Sequence, residues 1–182
     1  MGQAQYWERV YREREPQEAS WYEEVPKTCL ALIKGAAVPL DAAIVDVGGG
    51  TSKLAGLLVA AGYADVTVAD ISGAALERAR VELGAAADQV TWIEADVRSH
   101  DFARVFDRWH DRAVFHSMVE PGDRDAYLAA VRRTLAPGGH AVLATFGPGG
   151  PTECSGLPVA RYGPDELMDI LGLRPRADLL TD

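Results

Sequence analysis

The stretch Ala43–Lys53, AIVDVGGGTSK, decides the fold of this chain. It opens with three apolar residues, as expected of a strand buried in a parallel sheet. Asp46 and Val47 complete this strand. Three consecutive glycines follow it: Gly48, Gly49 and Gly50. Thr51 or Ser52 is then suited to cap a helix that continues as KLAGLLVAAG. The stretch therefore predicts a strand, a glycine turn and the start of a helix in direct succession.

The glycine turn indicates a binding site for a nucleotide-like cofactor. At such a junction backbone N–H groups point toward a bound negative charge, and a Cβ atom would block both the tight turn and the ligand. The dinucleotide fingerprint requires a glycine at its sixth position. Counted from Gly48, that position is Lys53, so a nicotinamide-dependent oxidoreductase is disfavoured.

The spacing Asp46-x-Gly48-x-Gly50 resembles motif I of class I S-adenosylmethionine (SAM) methyltransferases, with Ser52 at the position of their third glycine. SAM carries an ammonium and a carboxylate at its methionine end. An acid such as Asp46 suits the ammonium, and the N–H groups of the turn suit the carboxylate. The candidate cofactor contacts of this stretch are Asp46, Gly48, Gly49, Gly50 and Ser52.

Composition limits the possible partners. With 182 residues, 48% of them hydrophobic, the chain is long enough for one domain with a proper core. Its net charge of −9 argues against nucleic acid or an anionic membrane as a partner. The sequence has neither an apolar run of membrane-spanning length nor the apolar region of a signal peptide. Cys29 and Cys154 have no metal or redox spacing, so we expect a soluble, cytoplasmic protein.

From residue 41 the chain alternates strands and helices with short connections. This pattern predicts an α/β fold, a doubly wound parallel sheet of Rossmann-like type in three layers. Strands are expected at 43–47, 65–69, 89–94, within 106–120, and at 140–146. Helices are expected at 3–15, 26–34, 52–61, 73–83, 123–135 and 164–171. Residues 1–40 would then form an N-terminal helical cap, and residues 41–182 the cofactor-binding domain.

Acidic residues follow two further strands at the edge where the glycine turn lies. Asp70 ends the second strand, where a carboxylate can accept both ribose hydroxyls of an adenosine, and Ile71 follows it beside the same ligand. Asp96 and Val97 follow the third strand, where the carboxylate can accept the adenine amine and the Val97 N–H can meet a ring nitrogen. The alternatives are a helix-capping role for Asp70, which Ser72 can also take, and a turn aspartate at 96.

Aromatic residues recur on one face of the first predicted helix. Trp7 and Tyr11 either pack as the core of the cap or cover the cofactor and shape the substrate cavity. Their rings would also suit the sulfonium of SAM, because a cation is attracted to an aromatic face. The two interpretations are compatible.

The fourth strand places ionisable residues among large apolar ones, in WHDRAVFH at 109–116. Such groups at the carboxyl end of a central strand lie beside the crevice, where function is usual. We expect Asp111 and His116 as candidate bases and Arg112 to orient an anionic acceptor; Asp111 is also a candidate cofactor contact. Alternatively, Asp111 and Arg112 pair with each other. A metal site of His110, Asp111 and His116 is disfavoured, because neighbouring residues of a strand face opposite sides.

The last third of the chain is expected to end the sheet and cover the site. A turn at 136–139, APGG, precedes the fifth strand, and residues 147–164 form a glycine- and proline-rich loop of the kind that often acts as a lid. Cys154 in this loop is expected to be a packed thiol. A final extended piece at 173–181 closes the chain.

Six stretches together resemble a bacterial group of class I SAM-dependent methyltransferases: VDVGGGTS, VTVADIS, WIEADV, WHDRAVFH, LAPGGHAVLATF and CSGLPVARY. The pattern WERVYRE…SWYE is similar to that group and to the start of eukaryotic lysine methyltransferases acting on elongation factor 1A. The resemblance implies SAM as cofactor and S-adenosylhomocysteine as product, and it leaves the acceptor open. This fold normally ends in an antiparallel strand pair whose seventh strand is not evident here. We therefore expect an incomplete pair with an open sheet edge, covered by a further segment or by a homodimer partner.

Methyl transfer to a sulfur or nitrogen nucleophile of a small molecule is the leading hypothesis. A protein lysine methyltransferase is the second, because an acidic surface suits a basic target segment. A regulator that binds SAM or S-adenosylhomocysteine without turnover is the third. A catalytic base is needed only where the nucleophile arrives protonated; otherwise the protein chiefly positions the reactants and excludes water.

Overall fold

Five parallel strands form the central sheet of the structure, a computed structural model that describes residues 2–15, 22–35 and 38–172. In chain order they are β1 (Ala43–Val47), β2 (Asp65–Asp70), β3 (Val90–Glu94), β4 (Phe106–Arg112) and β5 (Leu135–Ala144). Their order across the sheet is β3-β2-β1-β4-β5, and each neighbouring pair is parallel. The direction of winding therefore reverses between β1 and β4, which opens a crevice at the carboxyl ends of these strands.

The helices are α1 (Gln3–Glu13), α2 (Lys27–Gly35), α3 (Leu54–Ala60), α4 (Gly73–Leu83), α5 (Pro121–Thr134) and α6 (Pro164–Leu171). Two apolar clusters lie on opposite faces of the sheet. One joins β1 to α2, α3 and α4 through Ile44, Leu54 and Leu76. The other joins β1 and β4 to α5 and α6 through Trp109 and Tyr127. The predicted three-layer α/β fold is confirmed.

The N-terminal region contributes to two different parts of the molecule. Cys29 and Ile33 of α2 are buried in the cluster against the sheet, so α2 belongs to one of the helical layers. α1 packs on α4 at the carboxyl ends of the strands. The predicted helix 3–15 thus ends at Glu13. Trp21, the tryptophan of the SWYE stretch, lies outside the described residues.

Helix boundaries differ from expectation by one or two residues for local reasons. α3 begins at Leu54, not at 52, and the Ser52 hydroxyl accepts a hydrogen bond from the Leu54 N–H at 3.2 Å from outside the helix. Ser72 caps α4 as expected, since its hydroxyl accepts from the Ala75 N–H at 3.2 Å. α5 begins at Pro121, a residue well suited to the first helical position.

The start of β5 contradicts the prediction of a turn at 136–139. Leu135 already pairs with Phe106, and the register shifts between Phe106 and Arg108 to accommodate the added residues. Gly138, with φ of +79°, takes up the irregularity inside the strand. The paired strand therefore starts five residues before His140.

The segment 147–164 is not structureless. It contains a short hairpin of β6 (Glu153–Cys154) and β7 (Leu157–Pro158), which pair antiparallel. Ser155 and Gly156 link them with φ of +52° and +75°, as a tight two-residue turn requires. The expected extended piece at 173–181 lies outside the described residues. Within the described residues, β5 is the outer strand on one side of the sheet.

In the described part of the chain, no helix combines the length and apolar character needed to cross a membrane.

Candidate cofactor and active site

Two adjoining cavities open at the carboxyl ends of the strands. The larger, of about 870 Å³, extends from the tips of β1, β2 and β3 to the hairpin at 153–158. The smaller, of about 450 Å³, lies beside the glycine turn. Tyr11, Gly48 and Arg112 line both. The crevice predicted from the strand order therefore exists as one site with two compartments.

The glycine turn leaves no room for side chains on this side of the site. Gly48 and Gly50 adopt φ of +64° and +48°, which L side chains rarely adopt. A Cβ atom on Gly48 would lie 2.0 Å from Val114 Cγ2. On Gly50 it would lie 2.7 Å from the Tyr11 hydroxyl and 3.2 Å from Asp70 Oδ2. The glycines thus let α1, β2 and the loop after β4 converge on one space.

Asp70 and Ile71 lie in the larger cavity, at the position expected of a ribose contact. Asp70 is 6% exposed, and its Oδ1 accepts a hydrogen bond from the Ser72 N–H at 2.8 Å. Burial raises the pKa of this carboxyl to about 7, against the opposing effect of the backbone hydrogen bonds. The group is therefore poised between its neutral and ionised forms.

Asp96 and Val97 also line the larger cavity. The Asp96 carboxylate accepts hydrogen bonds from Arg98 Nε at 2.9 and 3.1 Å, and the pairing with this guanidinium lowers the pKa of Asp96. Arg98 Nη1 reaches Asp123 on α5 at 2.7 Å. The carboxylate expected to contact the adenine thus lies at the cavity, where an arginine already holds it.

Asp46 is paired with a histidine that the sequence did not connect to it. The two residues oppose each other in the β1–β4 ladder, and His110 Nδ1 lies 2.7 Å from Asp46 Oδ1. Burial would lower the pKa of His110, but the charge of Asp46 and the hydrogen bond to it raise that pKa to about 10. At neutral pH the two form a buried ion pair at the wall of the smaller cavity.

Asp111 is a structural anchor and lines neither cavity. It is fully buried, and its carboxylate accepts hydrogen bonds from the N–H groups of Val114 and Phe115 at 2.8 and 2.9 Å and from the Tyr127 hydroxyl. Burial raises its pKa to about 6. This geometry favours a structural role for Asp111 over that of cofactor contact or base, because its oxygens hold the loop after β4.

The side chain of Arg112 points to the opposite face of the sheet from that of Asp111. Its Nη1 lies 2.8 Å from Glu23 Oε1, so the alternative pairing of Arg112 with Asp111 is wrong. The reason is that neighbouring residues of a strand point to opposite faces of the sheet. Arg112 and Glu23 are both at the smaller cavity.

His116 lines the larger cavity. It is 2% exposed, and its Nδ1 has no hydrogen-bond partner among the described residues. Burial lowers the pKa of this imidazole to about 4, so it is neutral at physiological pH. No group of metal-ligating side chains of sufficient size is present in the described ranges, and His110 and His116 belong to different cavities.

The far end of the larger cavity is mostly apolar. Its wall is formed by Met118, Cys154, Leu157 and Val159. Cys154 is buried, and burial raises the pKa of its thiol. This agrees with the expectation of a packed thiol.

α1 covers the larger cavity with Trp7 and Tyr11, whose ring centroids lie 6.1 Å apart. Glu8 of the same helix accepts hydrogen bonds from the Ala74 N–H at 3.0 Å and the Ser72 hydroxyl at 2.8 Å, at the first turn of α4. The Tyr6 hydroxyl donates to the carbonyl oxygen of Ser155 in the hairpin. Sequence reasoning missed both links, since no local spacing relates an acid on α1 to a helix end beyond residue 70.

Fold and site together define an α/β protein with a crevice, suited to a nucleoside-type cofactor, at the tips of a doubly wound sheet. The family described as "Methyltransferase domain" matches residues 44–139, more than half of the chain. The chain belongs to this family. No curated protein matches it in sequence.

Solved structures share this fold. A structure described as "Conversion of a Disulfide Bond into a Thioacetal Group during Echinomycin Biosynthesis" is 24% identical, with a TM-score of 0.75 over 93% of this chain and 77% of that one. The DhpI-SAM-HEP complex is 17% identical, with a TM-score of 0.67 over 93% and 86%. The glycopeptide N-methyltransferase MtfA complexed with SAM is 21% identical, with a TM-score of 0.58 over 71% of this chain.

The chain spans only 58% of the length of MtfA. At these identities the likenesses show the fold, and the ligands named for MtfA and DhpI agree with the SAM cofactor predicted from the sequence. The closer similarity to the WHDRAVFH group and to lysine methyltransferases of elongation factor 1A stays a prediction.

Proposed function

We propose that this protein transfers a methyl group from SAM to a sulfur or nitrogen atom of a small-molecule acceptor. The observation that carries the proposal is the buried Asp70 beside the glycine turn, in the wall of the larger cavity. A carboxylate there is placed to accept the ribose hydroxyls of an adenosine. The methyltransferase family and the SAM ligands of two structures of the same fold support this choice of cofactor.

The residues present fit SAM along its length. Ile71, Asp96 and Val97 line the part of the larger cavity beyond Asp70, where the adenine would lie. Trp7 and Tyr11 present aromatic rings to the same cavity, as a sulfonium cation favours. When bound, SAM supplies an electrophilic methyl group on a good leaving group, and S-adenosylhomocysteine is the product. The protein then has to position the acceptor and exclude water.

His116 is the residue we assign to the proton of the acceptor. It is neutral at pH 7 because burial lowers its pKa to about 4, so a ring nitrogen can accept a hydrogen bond from a thiol or amine. Asp111 supports this role indirectly, by holding the N–H groups of Val114 and Phe115 directly before His116. Asp111 is accordingly a positioning residue.

The elements at the two ends of the larger cavity favour a small acceptor over a protein side chain. α1 lies over one end and the hairpin over the other, and Tyr6 joins them through Ser155. The apolar wall at Met118 and Leu157 favours an acceptor that is uncharged near its nucleophile.

The test is transfer of a labelled methyl group from SAM, compared between a metabolite extract and a protein extract. The proposal predicts label in a small organic molecule and a matching amount of S-adenosylhomocysteine. Label confined to protein would favour a protein lysine methyltransferase. Tight SAM binding with no labelled product in either extract would favour a non-catalytic regulator.

A further inference from the structure

We propose that Arg112 and Glu23 together recognise the amino-acid end of the cofactor, the guanidinium binding its carboxylate and the Glu23 carboxylate binding its ammonium. The inference rests on the proposed use of SAM. It assigns the smaller cavity to the methionine end and names a residue, Glu23, that neither the motif nor the strand pattern indicates. It also assigns Arg112 to the cofactor instead of an anionic acceptor.

The first argument is position. Arg112 lines both cavities, at the boundary between the space beside Asp70 and the space beside the glycine turn. Glu23 lines the smaller cavity, and its Oε1 lies 2.8 Å from Arg112 Nη1. A cofactor whose adenosine occupies the larger cavity reaches this boundary with its amino-acid end.

The second argument is that the other acid of the smaller cavity is already engaged. Asp46 is 2% exposed and forms a buried ion pair with protonated His110 at 2.7 Å. Removing one partner from a buried pair leaves an uncompensated charge, which is strongly unfavourable. Asp46 therefore remains with His110, and Glu23 is the accessible carboxylate for an ammonium.

The third argument is that the Arg112–Glu23 pair opens easily. The Glu23 side chain is 50% exposed and that of Arg112 is 19% exposed. An exposed ion pair changes an equilibrium constant by only about five-fold or less. A zwitterion inserted between the two groups replaces this one contact by two, with the charges alternating in sign, so no charge is left unpaired.

The helix after the glycine turn does not offer an equivalent carboxylate site. α3 is only seven residues long, so the dipole at its start is a weak source of positive potential. Arg112 supplies a full charge and a planar fork that matches a carboxylate.

Glu23 is held over the cavity by its chain neighbour. Glu24 Oε1 accepts a hydrogen bond from Lys53 Nζ at 2.6 Å, and Lys53 lies directly before α3. This ion pair links the segment at 22–25 to the residue before α3.

The experiment measures the binding of three ligands by calorimetry. SAM carries both charges of the amino-acid end, decarboxylated SAM keeps only the ammonium, and 5′-methylthioadenosine lacks the amino-acid end altogether. The variants are Arg112→Gln, Arg112→Lys and Glu23→Gln. Arg104→Gln is the control, because Arg104 forms an ion pair with Asp65 that lines neither cavity.

Arg112→Gln should weaken SAM binding by roughly 10- to 100-fold, the usual effect of losing a charge-assisted hydrogen bond. It should leave decarboxylated SAM and methylthioadenosine within about two-fold of wild type. Glu23→Gln should weaken SAM and decarboxylated SAM but not methylthioadenosine. Arg112→Lys should show an intermediate loss for SAM, and Arg104→Gln no change.

Unchanged methylthioadenosine affinity also shows that each variant is folded. The inference is overturned if Arg112→Gln and Arg112→Lys weaken all three ligands equally, or if neither variant nor Glu23→Gln changes SAM affinity. Wild-type protein that binds methylthioadenosine as tightly as SAM would overturn it too. Wild-type protein that binds none of the three ligands contradicts the proposed function itself, and the inference with it.

Discussion

The protonation state of Asp70 decides whether its carboxyl group can accept hydrogen bonds from both ribose hydroxyls. Burial raises its pKa to about 7, above the ordinary value of 3.8. Because the pKa is higher in the folded state, the stability that Asp70 contributes to the ligand-free protein is fully present below pH 3.8. It is lost as the pH rises through about 7. The ionised carboxylate is the better hydrogen-bond acceptor for two hydroxyls. In the ligand-free protein, however, it is less stable than the neutral carboxyl.

We expect SAM affinity to rise with pH through this range. Below the pKa of Asp70 the affinity should change by up to about ten-fold per pH unit, because one proton is released on binding. Calorimetric titrations between pH 5.5 and 8.5 measure this slope. In Asp70→Asn the slope should disappear and the affinity should be low throughout; an unchanged slope would assign the titration to another group.

His116 offers a separate prediction. His116→Asn should lower the turnover number, though by less than the roughly 10²- to 10⁴-fold of a general base whose pKa matches the working pH, with SAM affinity within about two-fold of wild type. The pH profile of the wild-type enzyme should show no imidazole titration near pH 6.5, since burial lowers the pKa of His116 to about 4. Equal losses of turnover and SAM affinity would make His116 a structural residue.

Sequence reasoning located Asp70, Asp96 and His116 because the carboxyl ends of parallel strands share one edge of the sheet. It did not predict which of the neighbouring groups are engaged elsewhere. Asp46 meets His110, which is 64 positions away, and Asp111 meets Tyr127 across two elements. Such pairings depend on strand order and helix placement, which no local spacing encodes.

At the scale of elements, α1 is the part that closes the site. Glu8 binds the first turn of α4, and these hydrogen bonds, from the Ala74 N–H and the Ser72 hydroxyl, lower its pKa. Because the pKa of Glu8 is lower in the folded state, this contribution to stability is lost as the pH falls through that lowered value. The attachment is therefore intact at neutral pH.

Glu8→Ala should detach α1 from α4. Loss of a helix-capping acceptor costs about 1 kcal/mol, measured as a change in the free energy of unfolding in urea. SAM dissociation should become faster, and amide hydrogen exchange should increase within α1. Glu13→Ala, an exposed acid on the same helix, is the matched control and should change none of these. Equal effects of the two variants would show that Glu8 contributes only helix charge.

Element boundaries were predicted best where one local signal decides them. Ser72 before α4 is such a case. The start of β5 was predicted wrongly because the proline and glycines at 137–139 are turn residues by local preference, whereas pairing of Leu135 with Phe106 overrides that preference. The hairpin at 153–158 was missed because its strands are two residues each, too short for an alternating pattern.

At the scale of the whole molecule, the fold follows from the alternation of strands and helices along the chain. In the described residues β5 ends the sheet on one side. A strand edge of this kind is suited to pairing with another chain. The proposal of a homodimer through this edge therefore stays a prediction.

Light scattering coupled to size-exclusion chromatography tests whether the protein forms this homodimer. We expect a mass of about two chains at high protein concentration, falling on dilution. A mass of 19.6 kDa, that of a single chain, at every concentration would exclude the homodimer.

The central claim is that the glycine turn and Asp70 form a site for SAM. The most direct measurement is a calorimetric titration of the wild-type protein and Asp70→Ala with SAM and, separately, with NAD. The account predicts one SAM bound per chain, no heat with NAD, and at least about ten-fold weaker SAM binding by Asp70→Ala. Binding of NAD in preference to SAM, or SAM affinity that does not change in Asp70→Ala, would contradict it.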